Sequence, residues 1–287
     1  MDNAIELKNV CKHYSGFELK NISFNVPTGC IMGFVGENGA GKTTILKAIL
    51  NLINIDNGQI KVLGEDSKSI NNSLKEKIGV AFDDSYFGDT LCADDVSLIM
   101  KNTFKSWDDA VYQGYIQRFS LPHKKIFKEY SKGMKMKLTL AVALSHNAKL
   151  LILDEATSGL DPIVRDEILD IFLEFIQDEE HTILISSHII SDLEKVSDYI
   201  TFINKGEVLF SKEKDELIYN YGIVKCSKEE ADRIDKDLIV GIRESNFGCE
   251  VMVNDKNRLN MINSNIVVDN CNIEEIMLFS TRYKEVR

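Results

Sequence analysis

The chain has 287 residues, 44% of them hydrophobic and 28% charged, and sets 34 Lys+Arg against 45 Asp+Glu for a formal net charge of −11. That length and hydrophobic content suffice for a full core and roughly two domains, and exclude a disordered or fibrous polypeptide. An acidic balance argues against a phosphate backbone or an anionic bilayer as the main partner, because both need clustered positive charge.

Six cysteines (Cys11, Cys30, Cys92, Cys226, Cys249 and Cys271) lie far apart with no CxxC pair. They read as small buried hydrophobes in a reducing compartment, not as a disulfide framework or a zinc site. The stretch "MDNAIELKNV" places acid and amide groups where a secretory leader needs basic residues and an apolar run. No apolar stretch approaches the roughly 18 residues that a bilayer demands. Any work at a membrane is therefore expected to rely on another chain for the spanning part.

In chain order, "AIELKNVCKHY" and "FELKNISFNVP" alternate polar and apolar residues, which predicts half-buried antiparallel strands. "CIMGFVG" is a short apolar run ending in glycine, as a buried parallel strand would be. "GENGAGKTT" (Gly36–Thr44) then fits G-x-x-x-x-G-K-[ST], with a strand pattern before it and the helical pattern "KTTILKAILNLI" after it. Gly36, Gly39 and Gly41 let successive backbone N–H groups turn inward to make an anion nest. The helix N-terminus adds partial positive charge, Lys42 adds a full one, and Thr43 Oγ is the expected magnesium ligand. The loop holds a nucleotide phosphate but does not say which reaction follows.

"QIKVLGE" and "KIGVAFDD" predict two further strands. From about Asp84 to about Leu140 the pattern is helical and includes the single Trp107. Strands resume with "KLLILDE", "HTILISSH" and "DYITFINKGEVLF", separated by amphipathic stretches such as "VRDEILDIFLEFIQDEE". Such alternation predicts an α/β fold with a largely parallel sheet and a helical insertion. In "LLILDE" (Leu150–Glu155) two carboxylates stand at the carboxyl end of a buried strand, where doubly wound sheets bind ligands. Asp154 is expected to hold magnesium, and Glu155 to take a proton from an attacking water. Beyond about Tyr221, "LIVGIRES", "CEVMVNDKNRLNM" and "NIVVDN" read as a few strands with a turn at "NDKN", closing on the helix "IEEIMLFSTRY". This last part forms a small α+β appendage without a chemical motif.

Four motifs in order, "GENGAGKTT", "YSKGM", "LLILDEATSGLDP" and "ISSH", resemble the nucleotide-binding subunit of ATP-binding cassette (ABC) transporters over residues 1 to about 220. The resemblance implies the P-loop ABC ATPase fold: a mostly parallel core, an antiparallel β subdomain, and an inserted helical subdomain at about 84–140. Residues 221–287 then form a C-terminal accessory domain. It implies ATP in the loop Gly36, Asn38, Gly39, Ala40, Gly41, Lys42, Thr43 and Thr44, with Tyr14 stacking on adenine, although a tyrosine at a strand end is often plain core or surface. "YSKGM" stands where the family's LSGGQ signature belongs. Two cassettes of the family pack head to tail, so Ser131, Lys132, Gly133 and the D-loop Asp161 would meet the partner's ATP. Lys132 departs from the usual glycine, and either contacts phosphate or faces solvent. His188 falls on the switch histidine, catalytic together with Glu155.

The family usually has glutamine after "IGVAF"; here Asp83 stands there. A carboxylate can ligate magnesium, as Thr43 and Asp154 would, but it cannot donate a hydrogen bond. Tyr86 and Phe87 just beyond either line a groove for a permease helix or pack in the core. The implied function is the ATP-hydrolysing subunit, with ATP and Mg2+, of a two-gene bacterial exporter of a peptide, antibiotic or lipid-like molecule. Its implied partners are a second ABC ATPase chain, expected as a homodimer, and a separate transmembrane permease that holds it at the cytoplasmic face of the plasma membrane, with no nucleic acid. The alternative is a soluble ABC ATPase acting on ribosomes or DNA; those members carry two cassettes in one chain or long coiled-coil insertions, and this chain has neither.

Overall fold

A computed structural model describes residues 2–69, 71–82, 87–245, 248–262 and 266–283. The chain begins with the hairpin of β1 (Asn3–Tyr14) and β2 (Phe17–Pro27), which pair antiparallel. Then come β3 (Ile31–Val35), α1 (Lys42–Ile49), β4 (Asn57–Val62), β5 (Glu65–Asp66), α2 (Asn72–Lys75) and β6 (Ile78–Ala81). Three helices follow, α3 (Ala93–Thr103), α4 (Asp109–Arg118) and α5 (Lys132–Leu144). The alternation then returns through β7 (Leu150–Asp154), α6 (Pro162–Phe175), β8 (Thr182–Ser187), α7 (Ile190–Val196), β9 (Tyr199–Asn204), β10 (Glu207–Glu213) and α8 (Lys214–Asn220).

The central sheet runs β10-β9-β3-β8-β7-β6, parallel except for the edge strand β10. Its central strands β3, β7 and β8 are buried along their whole length because both faces are covered, whereas the edge strand β10 carries exposed polar residues. Along β7, Leu150 and Ile152 enter one core while Leu151 and Leu153 enter the other. The first core lies under α1 and the antiparallel sheet β2-β1-β4-β5; the second lies under α5, α6 and α7. The inserted helices have a third cluster around Tyr112, which is fully buried and whose hydroxyl donates to Ala93 O at 2.8 Å.

The last part comprises β11 (Gly222–Cys226), α9 (Lys228–Ala231), β12 (Ile239–Ser245), β13 (Gly248–Val253), α10 (Lys256–Ile262), β14 (Val268–Asn270) and α11 (Ile273–Thr281). Its antiparallel sheet has the order β12-β13-β11-β14. "NDKN" does not join two strands: Asp255 accepts from Arg258 N at 2.8 Å and its carbonyl from Leu259 N at 3.1 Å, so "KNRLNMI" is the helix α10. The carboxylate supplies the side-chain acceptor that a helix start requires, and this local capping outweighs the turn reading. One face of the sheet has its own core around Val251 and Leu259. The other continues the second core: Ile223, Met252, Ile273, Ile276 and Phe279 share a cluster with Leu193 and Val196 of α7. Among the described residues no helix is long and apolar enough to cross a membrane.

Candidate functional site

The site is built at the carboxyl ends of β3, β7 and β8, which lie side by side. Between β3 and α1 the chain folds into a tight loop whose shape depends on missing side chains. A Cβ on Gly36 would stand 2.4 Å from Ile203 O, and one on Gly41, at φ 114°, would stand 2.7 Å from Leu19. Only glycine fits either place. The loop rests on the β9–β10 turn, where Gly206 N donates to Ala40 O at 3.0 Å. Ala40 is buried there and serves as the floor of the loop.

Lys42 opens α1 with only 6% of its surface exposed. Its ammonium donates to Gly36 O at 2.7 Å and lies 3.4 Å from Glu155 Oε1. Beside it, Thr43 Oγ1 donates to Asp154 Oδ2 at 2.7 Å. The other oxygen of Asp154 accepts from Ser186 Oγ on β8. Glu155 has a left-handed φ of 54°, a conformation that non-glycine residues adopt at a cost and that turns its carboxylate back toward Lys42. Its N–H donates to Ser186 O at 3.1 Å, and its Oε2 is 2.6 Å from His188 Nδ1. Two side-chain chains therefore meet at one point: Thr43–Asp154–Ser186, and Lys42–Glu155–His188.

A cavity of about 490 Å³ lies over these groups. Its walls are the loop from Glu37 to Gly39, Gly41 to Thr44, Glu155, and Gly16 and Phe17 of the β1–β2 hairpin. It offers backbone N–H groups, an ammonium and hard oxygen donors at one end and an aromatic ring at the other, which suits a nucleotide polyphosphate. Tyr14 is half exposed, lies under Lys12 Nζ at 5.5 Å from its ring centre, and is not on the cavity wall. Its hairpin partner Phe17 is.

Ser131, Lys132, Gly133 and Asp161 do not line this cavity of their own chain. Ser131 caps α5 by accepting from Met134 N at 3.3 Å, and Asp161 caps α6 by accepting from Val164 N at 3.1 Å. These two helix starts lie against each other. A Cβ on Gly133 would be 3.5 Å from Val164 Cγ1, and one on Gly159 would be 3.4 Å from Lys132 Nζ. Asp83 and Tyr86 lie outside the described residues. Phe87 packs edge-on against Phe127, ring centres 5.5 Å apart, in the core of the inserted helices.

The family described as "ABC transporter" matches residues 19–158. Bacitracin transport ATP-binding protein BcrA of Enterococcus faecalis is 33% identical over 221 residues, which is 76% of this chain and 71% of the relative. Lantibiotic transport ATP-binding protein SrtF of Streptococcus pyogenes is 34% identical over 214 residues, 74% of this chain and 91% of the relative. The chain belongs to the ABC transporter family. It is an ATP-binding, ATP-hydrolysing subunit of the ABC class.

The fold of this ABC ATPase agrees with solved structures. A structure of an ATP-binding subunit of an ABC transporter superposes with a TM-score of 0.67 at 22% identity, over 75% of this chain and 92% of the other. The ATP-binding cassette MJ0796, in a dimeric post-hydrolysis state with ADP and phosphate, gives 0.65 at 21% identity over 73% and 98%. Two residues of the ABC ATPase site escaped sequence reading. Ser186 was in view in "ISSH", where a hydroxyl inside a fully buried apolar strand signals a partner that needs it. Phe17 had no such signal, because its place depends on how the β1–β2 turn folds over the loop.

Proposed function

We propose that this ABC ATPase powers export of a peptide-like or antibiotic molecule through a separate transmembrane permease, and that each of its ATP sites is completed by a second copy of the chain. Residues 1–220 act as the ATPase unit, with an inserted helical part at about 84–140, and residues 221–287 as an accessory domain. The substrate class is supported by the names of the two relatives, one a bacitracin and one a lantibiotic transport ATP-binding protein. Both names are those of transport proteins, which speaks against the ribosomal or DNA reading.

The observation that carries the shared site is the division of the motif residues. Lys42, Thr43, Asp154, Glu155 and His188 converge, whereas Ser131, Gly133 and Asp161 stand elsewhere, at two helix N-termini that abut. Those N-termini offer N–H groups and positive dipole ends suited to a phosphate that their own chain does not hold. In this reading the loop from Gly36 to Thr44 cradles the phosphates, Lys42 pairs with the terminal ones, and Glu155 accepts the proton of the attacking water. His188 holds Glu155 in place. Thr43 and Asp154 are hard oxygen donors already in contact, a fit for Mg2+, which takes few protein ligands and completes its shell with water and phosphate. When bound it would neutralise charge on the phosphates.

For the permease, the best-suited surface is a cavity of about 700 Å³ at the open edge of the central sheet, beside β6. Leu50, Ile78, Val80, Phe82 and Phe104 line it, with Lys75 and Lys105 among the polar groups. An apolar groove with a few charges is what an amphipathic cytoplasmic helix would fill. The test is an affinity pull-down of the full chain from detergent-solubilised membranes of its host. A polytopic membrane protein in stoichiometric amount is expected, and binding is expected to weaken with Val80→Asp. Ribosomal or DNA-repair proteins with no membrane protein would overturn the transporter assignment.

A further inference from the structure

Between α6 and α7 two buried polar atoms face each other without a hydrogen bond. Arg165 Nε and Asp192 Oδ2 form a long ion pair at 3.8 Å, and neither has a hydrogen bond. Asp192 is only 4% exposed. Buried polar groups are almost always bonded, so an opposed, unbonded donor and acceptor call for a reason. Their location supplies one. Arg165 lies in the first turn of α6, where its N–H donates to Asp161 O at 3.0 Å and its Nη2 reaches Leu160 O at 3.4 Å. Asp192 lies in the first turn of α7, four residues past His188, whose ring is 2.6 Å from Glu155. One guanidinium thus touches the backbone of the Asp161 loop and faces the helix that follows His188.

We propose that Arg165 is a positioning residue that ties the Asp161 loop to the helix behind His188, so that a shift of that loop at the two-chain interface is passed to His188 and Glu155. A charge-assisted N–H···O bond is about 2.7–2.9 Å long, so a relative shift of about 1 Å converts the facing pair into a bonded one. A tightening of this pair as the loop shifts is the discrete rearrangement through which the proposed relay would act. The neighbouring Lys195–Asp166 pair also links α7 to α6, but its side chains are 44% and 63% exposed. It has solvent on both sides and serves as a control. The inference rests on the shared-site reading above.

The test is a double-mutant cycle on the full chain, with ATP turnover measured across protein concentration, nucleotide affinity of the single chain, and thermal stability. Arg165→Ala is expected to lower kcat roughly 10- to 100-fold, the usual loss when catalytic groups are misplaced by about 1 Å, with nucleotide affinity unchanged. Asp192→Asn is expected to act in the same direction, and the double variant to be no worse than the worse single one. Arg165→Lys, which restores charge without the fork, is expected to recover part of the rate, and Lys195→Ala to match the parent. Variants whose only defect is a lower Tm, with parental kcat per folded molecule, would overturn the proposal. So would losses that multiply in the double variant. If the parent hydrolyses ATP at full specific rate at concentrations where it is shown by sedimentation to be a single chain, the shared-site reading fails as well. If its specific rate instead rises with concentration and Arg165→Ala follows it, only the role of Arg165 fails.

Discussion

The carboxyl end of the central sheet and the C-terminal sheet are built alike, from short apolar strands with helices laid on them, and they treat charge in opposite ways. At the first, Lys42 and Asp154 are 6% and 4% exposed and Glu155 keeps 16% of its side chain in solvent. Burying such groups costs free energy unless each is paired, and each is paired here. Among the described residues beyond 221, no buried side chain is charged. The charges of that region sit outside in pairs such as Lys225–Asp269, with side chains 66% and 47% exposed, or cap helices, as Glu275 does for α11 together with the amide of Asn272. The ATP site gathers its charges in contact with one another below the surface, whereas the C-terminal sheet keeps its charges in solvent around an apolar core.

The sharpest way to break this contrast is Glu155→Gln. Turnover is expected to fall by roughly 10²–10⁴, the worth of a general base, with ATP still bound. Unchanged steady-state hydrolysis would show that the buried carboxylate is not the base. The matching change on the packing side is Ile276→Ala. Ile276 is fully buried in the cluster that also holds Leu193 and Val196, so the loss is expected to be about 2–5 kcal/mol. Because that cluster is continuous with the ATPase core, calorimetry is expected to show one transition moved downward. A separate low-temperature transition, with the main one unmoved, would mean that the C-terminal sheet packs as an independent body.

Smaller effects sharpen the comparison at its boundary. Asp161 caps α6, and Asp161→Ala is expected to cost about 1 kcal/mol of stability by denaturant unfolding. His146 is buried and stacked on Phe104, ring centres 4.1 Å apart, beside the cavity proposed for the permease. Burial holds its pKa below the usual 6.5, against a hydrogen bond to Glu76 O that favours the charged form. The unfolded chain takes up a proton near pH 6.5 that the folded chain declines, so stability is expected to fall as pH drops through that value. Melting curves between about pH 7.5 and pH 5.5 should show a flatter dependence in His146→Asn than in the parent.

The motif residues were legible because phosphate chemistry fixes both residue type and spacing. Gly36 to Thr44 must be that loop to make an anion nest, and Asp154 and Glu155 must follow a buried strand to meet it. Ser186 carried a signal, a hydroxyl within a buried strand, but its partner was not legible and neither was that of Arg165, since these depend on which strand neighbours which and how two helices cross. The C-terminal helix α10 was missed for a local reason: Asp255 in "NDKN" serves a helix cap as readily as a turn. Phe17 lines the cavity beside its hairpin partner Tyr14, the residue expected to stack on adenine, and had no signal of its own because its place depends on how the β1–β2 hairpin packs over the loop.

The central claim is that one chain holds half of each ATP site, and mixing two inactive chains tests it most directly. Lys42→Ala removes the phosphate lysine, and Ser131→Arg blocks the cap of α5; each alone is expected to hydrolyse no ATP. Mixed in equal amounts they are expected to regain roughly a quarter of parental turnover, since half of the dimers are mixed and each of those holds one complete site. A mixture as inactive as its components, with mixed dimers demonstrably formed, would contradict the shared site.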